Sequence, residues 1–377
     1  MSRTVVPVLS VSFLLLSCAT PQARHTPAPV VPADEPRISG PYSHDNLTVF
    51  LVHGPDRLAG REYVPLQQAI ADKKVIVHET GNVNELAIEN VSGDDVFIQA
   101  GDIVRGGQQD RTLADDLVLA AHSGRTPIGS FCVEQGRWSQ RGAEVAHIFA
   151  SSDNCLSSNS LKLAARYDWD QSGVWQNVAE QRANLDEGLS EAYELGRGGL
   201  GGGSTSLELA MEDENVKKAQ AAYLEKLSGT IDGKPDVVGF AFAINGELNC
   251  ADIYAGPGLF RKLWPKLLDA AVVEALGQRK PSESFTAPTC DDVRKLFTTA
   301  QAGKATDKEV SLRTRLITRD DPDCVLFETH DKQGGSEFVH RNYLRKLSRQ
   351  ASPQPRQQRE TQNSIAPQTL IVPQQQR

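Results

Sequence analysis

The chain has 377 residues, 39% hydrophobic and 23% charged, with a formal net charge of −8. That is the composition of a globular body with polar tails. An acidic balance offers no attraction to nucleic acid or to anionic lipid headgroups, so neither is expected as a partner.

The first residues, "MSRTVVPVLSVSFLLLSC", place Arg3 before an apolar run from Val5 to Leu16. The run is too short to span a bilayer, which takes about 20 residues, and its pattern is that of a secretory leader. Its end, Ser17 before Cys18, resembles a bacterial lipoprotein lipobox. The resemblance implies cleavage of residues 1–17 and lipidation of Cys18. Several acyl chains make a stable anchor. Ala19 follows where an inner-membrane retention signal would have Asp. The expected location is therefore the bacterial cell envelope, anchored to the outer membrane and facing the periplasm. An ordinary leader that happens to contain Cys18 is the alternative.

Residues 18–45 are proline-rich and lack an apolar period, so they are expected to form a disordered tether. Next come short apolar runs: "LTVFLVH", "KVIVHE", "LAIENV", "VFIQAG", "DLVLAA" and "PIGSFCVE". Gly, Asp and Asn punctuate them, which predicts short strands in a barrel or sandwich. One short helix is expected from Pro65. Two longer helices are predicted over about 174–195, weakened by Gly188, and about 206–228. Thr205 with Glu208 resembles a capping box, and Val216, Ala219, Tyr223 and Leu227 form a helical stripe. The glycine-rich "GRGGLGGGSTS" between them lacks the lysine of a phosphate loop, so it is read as a connection.

In "VVGFAFAINGELNCADIY", Asn245-Gly246 between two apolar runs predicts a β-hairpin with a type I′ turn. The next segment, "LFRKLWPKLLDAAVVEAL", is helical, with Leu259, Leu263, Leu267 and Val272 facing a sheet and Pro265 expected to delay or kink it. A helix near 291–300 and strands near 309–317, 324–330 and 336–340 close the body. The fold class is α+β: a β-rich, barrel- or sandwich-like N-terminal part, then helices and a small α/β layer. The expected division is a domain over 46–278, an α/β extension over 279–348 and a disordered Pro/Gln-rich tail over 349–377.

Cys132, Cys155, Cys250, Cys290 and Cys324 remain after Cys18. An exported protein can form disulfides, and Cys290 with Cys324 is the pair the spacing favours. Cys132, inside an apolar run, is expected to pack as a small hydrophobe. The eight histidines occur singly, with no HxH or HExxH, and there is no CxxC or GxSxG. No metal site or cofactor is assigned.

Two polar islands stand out. Asp102, Arg105, Gln108, Gln109 and Arg111 surround Gly106-Gly107, and Glu134, Gln135, Arg137 and Trp138 follow about 25 residues later. That interval fits one strand and a return, so the islands can meet. Arginine presents a fork for carboxylate or phosphate, tryptophan a stacking face, and glycine lets a ligand approach the backbone. These parts suit a small anionic ligand of sugar or nucleotide type. They equally suit an internal network that pins the strands. Glu134 is the candidate acid or base if the site hydrolyses a glycosidic or phosphate bond.

"GDIVRGGQQDRTL", "CVEQGRW", "WDQSGVWQNV", "FAINGELNCADIY" and "LFRKLWPKLL", in this order, resemble the ARG- and rhodanese-phosphatase-associated protein domain family over roughly 47–275. The family takes its name from bacterial association with ADP-ribosylglycohydrolases and rhodanese-like phosphatases. The resemblance therefore implies a link to NAD or ADP-ribose metabolism, and a ligand of that kind. It marks Gly107, Gln108 and Arg111, then Glu134, Gly136, Arg137 and Trp138, then Gln171 and Trp175. Asp110 stands where members often carry Asn. Export to the periplasm sits awkwardly with a nucleotide role.

Overall fold

The computed structural model describes residues 36–58, 60–107, 109–135, 149–193, 210–211, 213–280, 283–335 and 337–346. Cys18 and the Thr205–Glu208 cap lie outside the described residues. In chain order the strands are β1 (Arg37–His44), β2 (Leu47–His53), β3 (Val64–Pro65), β4 (Val75–Glu79), β5 (Glu85–Asn90) and β6 (Val96–Ile98). They continue with β7 (Asp102–Gly106), β8 (Arg111–Leu113), β9 (Leu117–Leu119), β10 (Thr126–Cys132), β11 (Phe149–Leu156), β12 (Val237–Ile244) and β13 (Glu247–Tyr254). Last come β14 (Lys304–Glu309), β15 (Thr314–Asp320), β16 (Cys324–Asp331) and β17 (His340–Arg345). The helices are α1 (Leu66–Ala71), α2 (Asn159–Lys162), α3 (Gln171–Tyr193), α4 (Glu214–Leu227), α5 (Pro257–Gly277) and α6 (Cys290–Ala302). A π-helical turn, Leu163–Asp168, joins α2 to α3.

The larger sheet is antiparallel with order β1-β2-β12-β13-β17-β16-β15-β14, and the second has order β11-β7-β8-β10-β5-β4. A third, small sheet is β3-β6-β9. The six-stranded sheet nearly closes: Glu79 of β4 and Phe149 of β11, its two outer strands, both crowd Gly107. The α+β class and the barrel-like N-terminal part are therefore present. The boundaries differ from expectation at two places. β1 occupies residues assigned to the tether; as an outer strand it tolerates Pro41, which composition alone reads as disorder. Residues 279–348 do not stand apart, because β17 inserts between β13 and β16 of the larger sheet.

Asn245 and Gly246 both take positive φ, 52° and 80°, giving the hairpin turn between β12 and β13. α5 carries the main core. Leu259, Leu263, Leu267 and Val272 are buried, and so are Phe260, Trp264, Leu268, Ala271 and Val273 around the rest of its circumference. α5 buries most of its circumference, leaves only the stripe Gly258, Lys262 and Pro265 exposed, and packs on β12, β11, α3 and α4. It begins at Pro257 and runs through Pro265 without a break. Each buried large side chain contributes about 1.5–3 kcal/mol, which outweighs the roughly 3 kcal/mol an internal proline costs. Phe240 of β12 meets Phe260 and Trp264 of α5, while Tyr343, on the opposite pleat of β17, meets Phe297 of α6. The two helices thus cover opposite faces of the larger sheet.

The stripe Val216, Ala219, Tyr223 and Leu227 of α4 is buried as its spacing predicts. The described helix starts at Glu214, where Asp213 accepts from the Asn215 N–H. Cys290 and Cys324 are both free thiols. The expected disulfide does not form: Cys290 Sγ faces Gly40 O at 3.8 Å and Cys324 Sγ faces Asp321 Oδ1 at 3.9 Å.

Gly188 lies inside α3, and its placement explains it. A Cβ there would sit 2.7 Å from the Leu276 carbonyl oxygen, at the end of α5. In an isolated helix Gly→Ala gains about 1 kcal/mol. Here Gly188→Ala should instead lower stability, by about 1–2 kcal/mol, because one helix must move off the other. Urea unfolding decides the sign, and a stabilised variant would show the contact to be slack.

Candidate functional site

The hairpin β7–β8 and the pairing of β8 with β10 set the first island beside the second. Arg111 lies directly opposite Cys132 in the register. Gly107 adopts φ of +56°, and a Cβ on it would fall 2.5 Å from the Phe149 ring and 2.6 Å from Glu79 Oε1. The turn therefore requires glycine. Asp110 Oδ1 accepts from the Gly106 N–H at 2.9 Å, closing that turn. An Asn side-chain oxygen can do the same, so the acid here changes charge and not geometry. Glu134 is 2% exposed and its Oε2 accepts from the Asp110 N–H at 3.3 Å. Gln108, Gly136, Arg137 and Trp138 lie outside the described residues.

Arg111 is 1% exposed. Its Nη1 donates to Gln109 Oε1 at 3.0 Å and to Cys132 Sγ, and its Nη2 lies 3.8 Å from Glu79 Oε2. Its Nε–H is buried and has no acceptor. Cys132 is buried, and burial pushes its thiol up from the ordinary value, so it packs as a neutral group. Gln171, at the start of α3, grips the backbone of the same residue. It accepts from Cys132 N and donates to Cys132 O, both at 2.9 Å. Trp175, four residues on and hence on the same helix face, has a buried indole N–H, also without an acceptor.

Asp102, expected in this group, belongs to another one. Its Oδ1 takes a 2.9 Å bond from Lys266 Nζ of α5, and its Oδ2 accepts from the Gln99 N–H. This pair is the margin of a buried polar seam between the two large sheets, which sequence reasoning missed. Asp116 sits at its centre. It accepts from Ala100 N at 2.7 Å, Thr329 Oγ1 at 2.6 Å and Arg166 Nη2 at 3.2 Å, and lies 2.9 Å from His340 Nδ1. His340 Nε2 lies 3.0 Å from Asp252 Oδ1, which also accepts from Asn342 Nδ2. The Tyr254 ring stacks on the imidazole at 4.6 Å.

Burial alone would lower the His340 pKa, but Asp116 and Asp252 outweigh it and raise it. Burial raises Asp116 and Asp252, yet Arg166 and His340 hold the first low, and Lys162 and His340 the second. Beyond Asp252, Lys162 and Glu274 line a cavity of about 10 Å³ with Cys250 and Asn159. That volume holds about one water molecule. Burial pushes the Glu274 carboxyl up. The seam matches Asp102, Asp116, Asp252 and Glu274 against Lys162, Arg166, Lys266 and His340, and it ties segments far apart in the chain. Its one local signal in the sequence is Asp252 inside the apolar run "CADIY".

The model of the family described as ARG and Rhodanese-Phosphatase-superfamily-associated Protein domain, ARPP-1, matches residues 35–344. No curated protein and no solved structure matches the chain.

Proposed function

The chain belongs to the ARPP-1 domain family, whose model spans residues 35–344, and from that membership we propose that it binds a small anionic ligand at the meeting of the two islands. The observation that carries this reading is the pair of buried donors without acceptors, Arg111 Nε–H and Trp175 Nε1–H. Leaving a buried donor unpaired costs about 1–3 kcal/mol, which an accepting oxyanion recovers. Arg111 Nη2 also stands 3.8 Å from Glu79 Oε2, beyond hydrogen-bond distance. A phosphate or pyrophosphate of a nucleotide- or ADP-ribose-like molecule has the oxygens for both donors, and the family's name supports that class. Glu134 enters this reading as a turn acceptor and not as the acid or base of a hydrolase. The leader's lipobox supports a protein anchored through Cys18 in the bacterial cell envelope, on the outer membrane and facing the periplasm.

A second reading, a structural brace in a non-catalytic lipoprotein, is favoured by the double clamp of Gln171 on Cys132. The two separate in one experiment. Trp175→Phe keeps an aromatic ring, though a smaller one, and removes the donor. Calorimetric titration with ADP-ribose, ribose 5-phosphate and inorganic phosphate should show binding by the natural chain. In the folded variant that binding should be weaker by about tenfold, the loss of one charge-assisted hydrogen bond. No heat from any of the three, or equal affinity in the variant, leaves the brace.

A further inference from the structure

Three adjacent strands of the larger sheet bring a serine, an imidazole and a carboxylate into one hydrogen-bonded row, away from the Arg111 group. His53, the last residue of β2, lies opposite Arg37 of β1 on one side and Val237 of β12 on the other. Ser39, two residues along β1 and so on the same pleat as Arg37, puts Oγ 2.7 Å from His53 Nε2. Asp236, just before β12, puts Oδ1 3.0 Å from His53 Nδ1. The imidazole is 3% exposed and held in place, whereas Ser39 is partly open to solvent. A nucleophile bonded to a base that a third group orients is the arrangement nucleophilic catalysis requires.

We propose that Ser39, His53 and Asp236 form a nucleophilic triad that hydrolyses a carboxylic ester carrying a negative charge. The charge preference comes from Arg37, on the same pleat of β1 as the serine. Arg37 is 61% exposed, lies 2.8 Å from His53 Nδ1 and is paired with Asp236 Oδ2 at 2.7 Å, so an anionic substrate competes with Asp236 for it. The Tyr42 hydroxyl lies 3.5 Å from Ser39 Oγ on the same strand. The hydrogen bond from His53 holds the Asp236 carboxyl down at about 2, with a further contribution from Arg37, so it is ionised at neutral pH.

With Nδ1–H donated to Asp236, the Nε2 lone pair accepts the Ser39 proton. Oγ attacks the carbonyl carbon, forming the new C–O bond while its proton passes to Nε2. The imidazolium returns that proton to the departing alkoxide as the ester C–O bond breaks, releasing an alcohol. Water, deprotonated by Nε2, then attacks the acyl carbon, the bond to Oγ breaks, and Oγ recovers the proton. The sum is ester plus water to acid plus alcohol.

Arg37 also sets a condition on the cycle. While its guanidinium donates to Nδ1, the ring proton sits on Nε2 and the base is blocked. An anionic substrate that draws Arg37 onto itself frees Nδ1 to be protonated and to face Asp236.

The test uses the full chain with a fluorophosphonate probe and two p-nitrophenyl esters, the neutral acetate and the anionic hemisuccinate. Peptide mapping should place the probe on Ser39 in the native protein and nowhere in a urea-unfolded control. The hemisuccinate should be cleaved faster than the acetate, and Arg37→Gln should remove that preference. Ser39→Ala should abolish labelling and lower hydrolysis by at least about 10³-fold at an unchanged melting temperature. If that variant does not fold, Asp236→Asn, at a half-exposed position, should lower the rate comparably. A native chain that is not labelled at Ser39, or variants that keep the rate, overturn the triad. A preference that survives Arg37→Gln overturns the role given to Arg37.

Discussion

His340→Ala is expected to cost about 3–5 kcal/mol of stability, the loss found when one member of a buried charge network is removed. The imidazole is 1% exposed and bridges Asp116 to Asp252, which are buried alongside it. Without it Asp116 keeps Arg166, Thr329 and the Ala100 N–H, and Asp252 keeps Asn342, but neither recovers the charge it faced. The same residue predicts a pH dependence. Its pKa is raised on folding, so its contribution is complete below the unfolded value of about 6.5 and is lost as pH rises through the folded value. Across that window the natural protein should lose about 1.4 kcal/mol per pH unit, one proton's worth. Asp116 and Asp252, both held low, act with the opposite sign. Their contribution is present above about pH 3.9 and is lost as pH falls through their folded values. Urea unfolding from pH 2 to 9 measures both arms. A His340→Ala protein that keeps the alkaline slope would show that the slope belongs to another group.

What the sequence made legible was local. The Asn245-Gly246 turn, the stripe of α4 and the apolar positions of α5 each carry their signal within one element and stand as their patterns predict, although α5 starts at Pro257 and is neither delayed nor broken by Pro265. β1 was hidden because prolines around it lower the apolar average, although Ile38 inside it is buried. β7 and β8 were hidden because Asp, Arg and Gln are the residues that chemistry uses, and here they are core partners as well as candidates. Spacing could bring Arg111 near Cys132, since one strand and a return is a short-range regularity. It could not pair Asp102 with Lys266, 164 residues away, nor assemble residues 116, 166, 252 and 340. Nor could it find Ser39, His53 and Asp236, which depend on β12 crossing to lie beside β2. Such contacts follow from strand order, which single residues do not encode.

Gly239→Ala should be nearly as damaging as the loss of His340, at about 3 kcal/mol, although "VVGFAFAI" looks like an ordinary strand that a methyl group would improve. Gly239 of β12 pairs with Val52 on one side and Ile253 on the other. A Cβ there would lie 2.4 Å from the Asp252 carbonyl oxygen and 2.8 Å from Ile253 Cα. Both are backbone atoms of β13, so no side chain can rotate aside, and a strand held between two neighbours has to shift. The strand that shifts carries the Asp252 carboxylate which His340 faces at 3.0 Å. Moving it weakens the imidazolium's partner, so the His340 titration followed by NMR should fall back toward its ordinary value in the folded variant. The two substitutions then act on one network, and their effects should not add: the double variant should be less destabilised than the sum, by about 0.5–3 kcal/mol. Strict additivity, with an unmoved His340 titration, would mean that β13 absorbs the methyl group without disturbing the seam.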